Sequence, residues 1–224
     1  MTLKRWGTAL LLMMLSAASM AQESNPLIDL PNRTWEVFLE RGSTGSTGGS
    51  DRIIFIDVLT GFQVRADVSG ERYTLLEDGV LYFDPGQQRV MYVDSSGVPR
   101  PHEFIVLQVN ARRIDWAVSD DGKWVAWTLT YGESNALTTV TQIATQEGAM
   151  QREVLRDGPN DGIRALPLGF AANNEALIMD VQPDGLARFT AYPNYAGLFR
   201  LDLASNEIAL LPGEPACYCG AGMH

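Results

Sequence analysis

Cysteine and histidine are almost missing from this chain. Its 224 residues hold two cysteines, Cys217 and Cys219, and two histidines, His102 and His224. Two cysteines cannot staple a disulfide-dense scaffold. A Ser-His-Asp triad would have to recruit one of the two histidines. His102 follows Pro99-Arg-Pro101, which reads as a rigid exposed loop, so His102 reads as a solvated loop residue. No Gly-x-Ser-x-Gly elbow exists to present a nucleophile. The glycine-rich run Gly42–Ser50 has neither dinucleotide spacing nor a following lysine, so it is not a phosphate cradle. Basic charge is also short, with 17 Lys+Arg against 27 Asp+Glu. That field repels phosphate backbones and anionic lipid, and no basic patch interleaved with aromatics offsets it, so no nucleic-acid partner is expected. One long apolar run exists, and it lies at the N-terminus.

That run sets the expected compartment. Lys4 and Arg5 precede an apolar stretch from Ala9 to Leu15, and Ser19-Met20-Ala21 is a small-x-small cleavage site. The pattern is that of a signal peptide over 1–21, too short in its apolar part to span a bilayer. Its removal leaves 15 Lys+Arg against 27 Asp+Glu, a net charge of −12. The expected product is secreted or periplasmic, with no membrane insertion after cleavage. Asn32-Arg-Thr34 is a glycosylation sequon, meaningful only in a host that glycosylates.

After an irregular lead-in at 22–33, the chain reads as a succession of β-hairpins over 34–213, with a tail at 214–224. No amphipathic helix is found. Phe62, Val64, Ala66 and Val68 alternate with polar neighbours, as a half-buried strand requires. Tyr73–Leu76 and Val80–Phe83 flank Glu77-Asp78-Gly79, a strong hairpin signal. The hairpins repeat. Trp116-Ala-Val-Ser-Asp-Asp-Gly-Lys-Trp-Val-Ala-Trp127 matches Leu168-Gly-Phe-Ala-Ala-Asn-Asn-Glu-Ala-Leu-Ile-Met179 in pattern. A second turn recurs at Ile56-Asp-Val-Leu-Thr-Gly61, Val93-Asp-Ser-Ser-Gly97, Ile143-Ala-Thr-Gln-Glu-Gly148 and Leu201-Asp-Leu-Ala-Ser-Asn206. Four units follow, near 34–70, 71–110, 111–160 and 161–213, close to the size of four-stranded blades.

On these residues the chain resembles the TolB-type and dipeptidyl-peptidase-type β-propellers. Ser119-Asp-Asp-Gly-Lys-Trp-Val-Ala-Trp127 is similar to the blade turn of that family, with Asp120 where proline is usual, and Phe199–Glu207 is similar to its outer hairpin. The resemblance implies an all-β, β-propeller-like array of about four antiparallel blades. Four is the lower limit for a closed ring, and the tail reads like the start of a further repeat, so the array is either a small ring or part of a larger one. An irregular β-sandwich is the competing fold.

No catalytic residue and no cofactor are expected. Cys217, Cys219 and His224 form the one metal-like constellation, with soft thiolates and an imidazole. Three ligands on a glycine-rich tail leave it incomplete, and disulfide bonding competes with it. Asp157-Gly-Pro-Asn-Asp-Gly162 is rich in oxygen ligands, but its spacing fails the calcium-loop pattern and reads as a turn. Asp78, Asp120, Asp121 and Asp184 sit beside glycine as turn formers. Trp116, Trp124 and Trp127 read as inter-blade packing, with alternation placing Trp116 and Trp124 away from Val125. The expected function is an exported non-catalytic module that binds a protein or glycan through its loops. The alternative is the N-terminal propeller of a larger exported enzyme, such as a serine peptidase.

Overall fold

The computed structural model describes residues 34–42, 50–171, 173–184 and 197–212. All of its regular structure there is β. Four antiparallel meanders follow one another along the chain. The first is β1 (Trp35–Glu40), β2 (Asp51–Asp57) and β3 (Gln63–Val68). The second is β4 (Glu71–Leu75), β5 (Gly79–Asp84), β6 (Arg89–Asp94) and β7 (Arg100–Pro101). The third is β8 (Ala111–Val118), β9 (Trp124–Tyr131), β10 (Leu137–Thr145) and β11 (Arg152–Asn160). The fourth is β12 (Ile163–Ala171), β13 (Ala176–Pro183), β14 (Leu198–Asp202) and β15 (Ile208–Leu210). One sheet falls within each of the four repeat units, in a propeller-like array.

Stacked sheets explain the sequence pattern. A strand buried on both faces has no polar side, and β5 is such a strand, with Gly79 to Phe83 all buried. Its alternate side chains go opposite ways. Val80 and Tyr82 join Ile53, Phe55 and Val93 between the first and second sheets. Leu81 and Phe83 join Ile114, Val125 and Trp127 between the second and third. On β9 the same split sends Val125, Trp127 and Leu129 toward the second sheet and Ala126 toward Leu177, Met179 and Phe199 of the fourth. Trp127 is 1% exposed, and burying so large a side chain contributes several kcal/mol, about 25 cal/mol for each Å² of apolar surface. Trp124 packs on the opposite face from Val125, as alternation requires, but Trp116 shares the cluster of Val125. The cross-strand register explains this: Trp116 pairs with Trp127 and Val118 with Val125, so the four stand on one face.

The recurring turn is one physical device used four times. It follows β2, β6, β10 and β14, and its backbone closes from Gly61 to Asp57, Gly97 to Asp94, Gly148 to Thr145 and Asn206 to Asp202, each at 2.8–2.9 Å. Gly61, Gly97, Gly148 and Asn206 all have positive φ, between 59° and 81°. Glycine and asparagine are the residues that tolerate that region, which is why they recur there. The aspartates cap the turn: Asp57 accepts from the amides of Leu59 and Thr60, Asp94 from Ser96, and Asp202 from Ala204 and Ser205. These amide bonds hold the carboxyls of Asp57 and Asp202 below the usual range.

The segment read as a turn at 157–162 is mostly strand. β11 continues through Asp157 to Asn160, because Asn160 still pairs with Leu137 and Asp157 with Thr139. Register shifts in β10 and β11 absorb the extra residues.

Candidate functional site

The hairpin turn after β4 and the recurring turn after β10 meet at one end of the array, and between them they shape two adjoining clefts. Glu77 and Asp78 come from the first turn, Gln146 and Glu147 from the second. Gln146 ties them together: its amide nitrogen donates to Asp78, and its side-chain oxygen accepts from the backbone N–H of Glu77 at 3.2 Å. Asp78 also accepts a 2.6 Å hydrogen bond from the Tyr92 hydroxyl. Asp78 is therefore more than a turn former. It fixes the wall that separates a cleft of about 300 Å³ from one of about 450 Å³. Burial, and then this bond to Asp78, push the Tyr92 hydroxyl well above its ordinary range, so it stays a proton donor.

The smaller cleft has an aromatic floor. Tyr92, His102 and Phe104 line it, with the His102 ring 6.3 Å from Tyr92 and 4.5 Å from Phe104, edge to face in both cases. Phe104 in turn rests on Trp127 at 5.6 Å, so the floor is continuous with the core. His102 is not the solvated loop residue that its neighbours Pro99 and Pro101 suggest. It is half-buried, its backbone N–H donates to the Val90 carbonyl, and its Nδ1 accepts from the N–H groups of Ile105 at 3.1 Å and Phe104 at 3.4 Å. Burial, aided by nearby Arg100, pulls its pKa down to about 4. At neutral pH it is an uncharged acceptor that caps the chain after β7.

The rim is acidic. Glu77, Asp78, Glu103 and Glu147 line the two clefts against one cation, Arg100. Arg100 is already engaged, paired with Asp94 at 2.8 Å and lying 4.8 Å over the Tyr92 ring. An aromatic floor beneath a carboxylate-rich rim suits a cation on an apolar stem. The larger cleft continues to Thr34, Trp35 and Val37 at the first sheet, so an extended ligand could lie across both.

His102 is the sole histidine among the described residues, and its Nδ1 is committed to backbone amides. Among the described residues no group of three or more His, Cys, Asp or Glu is placed to hold a metal ion. Cys217, Cys219 and His224 lie outside the described residues. Asp120 and Asp121 stay in the turn after β8, where Asp121 accepts from the Ser119 hydroxyl at 2.6 Å, the Lys123 amide and the Asn174 side chain. Asp184 binds the Ser134 hydroxyl at 2.7 Å and Arg112 at 3.3 Å, tying the third sheet to the fourth.

A polar cluster that the sequence does not reveal joins those two sheets to the second. Arg113 grips Asp115 with contacts of 2.6–2.8 Å, and Arg164 and Arg72 reach the same carboxylate at 3.4 and 3.5 Å. Arg164 is 2% exposed, and burial lowers the pKa of its guanidinium. Arg72 also lies over the rings of Trp116 and Phe83, at 4.4 and 4.8 Å. The cluster anchors the sheets and lies apart from the clefts.

No family model matches the chain, and no curated protein matches it. Solved structures do match. One comes from a structural and mechanistic study of two prolyl endopeptidases and the role of inter-domain dynamics in their catalysis and specificity. It is 17% identical, with a TM-score of 0.44, over 79% of this chain and 28% of that one. The chain thus spans less than a third of that protein's length, and a likeness at this level assigns no activity.

Proposed function

We propose that this chain is an exported, non-catalytic binding module whose paired clefts take a basic segment of a partner protein. One observation carries the reading: three carboxylates, Asp78, Glu103 and Glu147, line the cleft with the aromatic floor, Glu77 lines the cleft beside it, and the single lining cation, Arg100, is already paired with Asp94. An arginine or lysine side chain would lay its stem on Tyr92 and Phe104 and set its charge among the carboxylates. Loops on rigid strands are where folds of this kind carry recognition. A glycan would use the same aromatic floor but gains nothing from the excess of acid. Isothermal titration of the chain from Gln22 onward with a short arginine-containing peptide tests the proposal. Saturable binding that weakens with salt, and is lost in Asp78→Asn with Glu147→Gln, supports it. Equal binding of an acidic peptide, or no binding, rejects it.

A second reading, in which the array is the N-terminal propeller of a larger exported enzyme, is favoured by the apolar residues left exposed on its two outermost sheets. Phe38 and Leu39 are exposed on the first, and Ile208 and Leu210 on the fourth. Such residues suit burial against further blades. Genomic sequence beyond codon 224 decides it: a hydrolase domain in frame supports this reading, and a stop codon removes it.

A further inference from the structure

The chain shows how it seats a guanidinium, and the smaller cleft repeats that seat with one contact moved. Just after β1, Arg41 lies 4.7 Å over the Tyr73 ring and pairs with Asp51 Oδ2 at 3.0 Å. The same carboxylate oxygen accepts the Tyr73 hydroxyl at 2.8 Å. Arginine, tyrosine and aspartate therefore close a triangle: the ring meets the flat face of the cation, and the aspartate receives both the hydroxyl and the guanidinium. The same three residue types meet at the cleft. Arg100 lies 4.8 Å over the Tyr92 ring, and the Tyr92 hydroxyl donates to Asp78 Oδ1 at 2.6 Å. Here the triangle is open. Arg100 pairs with Asp94, not with the aspartate that holds the hydroxyl. The side-chain bonds that Asp78 accepts, from Tyr92 and from Gln146, both go to Oδ1, and Asp78 is exposed at the cleft.

Given the basic-segment reading, on which this rests, we propose that the residue taken by the smaller cleft is arginine rather than lysine. Its guanidinium closes the triangle, lying on Tyr92 and pairing with Asp78 while Arg100 moves off the ring. A guanidinium is planar, so it stacks on an aromatic face and still presents N–H groups in its own plane to a carboxylate. A lysine ammonium is a compact, strongly hydrated charge with no flat face to share between the two. Asp78 is held in place for this contact, since Tyr92 and Gln146 both bind its Oδ1. The stem of the incoming side chain meets the rings of His102 and Phe104, which stand edge to face beside Tyr92. Arg100 is suited to leave. Its side chain is half exposed, and β7, which carries it, is two residues long. An exposed ion pair and an exposed ring contact are each weak, so exchanging one guanidinium for another on Tyr92 costs little. The net gain is the new pair with Asp78. Arg100 also sets a threshold, because a cation that uses the ring less well than Arg100 does not displace it.

Isothermal titration of the chain from Gln22 onward with two short peptides, identical except for arginine or lysine at the central position, tests this. The arginine peptide is expected to bind about tenfold tighter. Arg100→Ala is expected to tighten the arginine peptide more than the lysine peptide, whereas simple relief of charge repulsion tightens both alike. In the unaltered protein the side-chain proton resonances of Arg100, shifted by the Tyr92 ring, are expected to return toward ordinary values as the arginine peptide saturates the site. Equal affinity for the two peptides overturns the assignment of arginine and leaves the basic-segment reading standing. So does an Arg100 resonance that keeps its ring shift in the saturated complex. Binding of neither peptide, by the unaltered chain or by Arg100→Ala, removes both.

Discussion

Replacing Asp115 by asparagine removes one charge from the interface of the third and fourth sheets, and its effect can be worked out from the contacts. Asp115 holds Arg113 at 2.6–2.8 Å, Arg164 at 3.4 Å and Arg72 at 3.5 Å. Arg113 and Arg72 keep about 30% of their side chains in solvent, so water compensates them in part. Arg164, at 2%, has no such recourse. Its buried guanidinium would be left beside a neutral amide. Breaking a buried pair by removing one partner costs roughly 3–5 kcal/mol. In a domain of this size each kcal/mol moves the unfolding midpoint by about 2–4 °C, so a fall of about 6–20 °C is expected. Tryptophan fluorescence reads it, since Trp116 and Trp127 pair across β8 and β9 in the same sheet. The double variant Asp115→Asn, Arg164→Met removes the stranded charge and is expected to recover most of the loss, because an apolar pair of similar size can replace a buried ion pair nearly neutrally. A single-variant shift under about 2 °C would refute the assignment of Asp115 as the counter-charge of Arg164. A double variant less stable than the single would refute it equally.

Three further outcomes follow from the same geometry. Trp127→Ala empties the cluster between the second and third sheets and is expected to destabilise by roughly 3–5 kcal/mol, measured by denaturant unfolding. His102 has its pKa lowered to about 4, against about 6.5 when unfolded. The unfolded chain therefore takes up this proton first, so the contribution is complete above pH 6.5 and is lost as pH falls toward 4. His102→Gln is expected to flatten that part of the stability profile, and an unchanged pH dependence would contradict the buried neutral assignment. Asn206→Ala strains the turn after β14, where φ is 59°, whereas Asn206→Gly fits it; the alanine variant is expected to melt lower than the glycine variant.

Local features were legible in the sequence because their causes are local. The Asp57, Asp94 and Asp202 turns announce themselves through an aspartate and a following glycine or asparagine, since the turn's hydrogen bonds close within a few residues. The alternation in β3 and the flanked Glu77-Asp78-Gly79 turn mark strands for the same reason. The clefts were not legible. Their walls come from Thr34, Asp78, His102 and Glu147, and nothing in the spacing of those residues says that they meet. The prolines beside His102 argue for exposure, while Tyr92, Phe104 and two backbone amides bury it. Asp115 looks like any polar residue of a strand, because its three arginine partners arrive from β4, β8 and β12. Asp157-Gly-Pro-Asn has turn composition, yet pairing with β10 carries the strand through it.

The most direct test of the binding account is an amide chemical-shift titration of the isotopically labelled chain with an arginine-bearing peptide, run in parallel with its acidic counterpart. The account predicts shifts confined to Glu77–Gly79, Tyr92, His102–Phe104 and Gln146–Gly148, growing with the basic peptide alone and fading as salt rises. Shifts scattered over the surface, or centred elsewhere in the array, would contradict it.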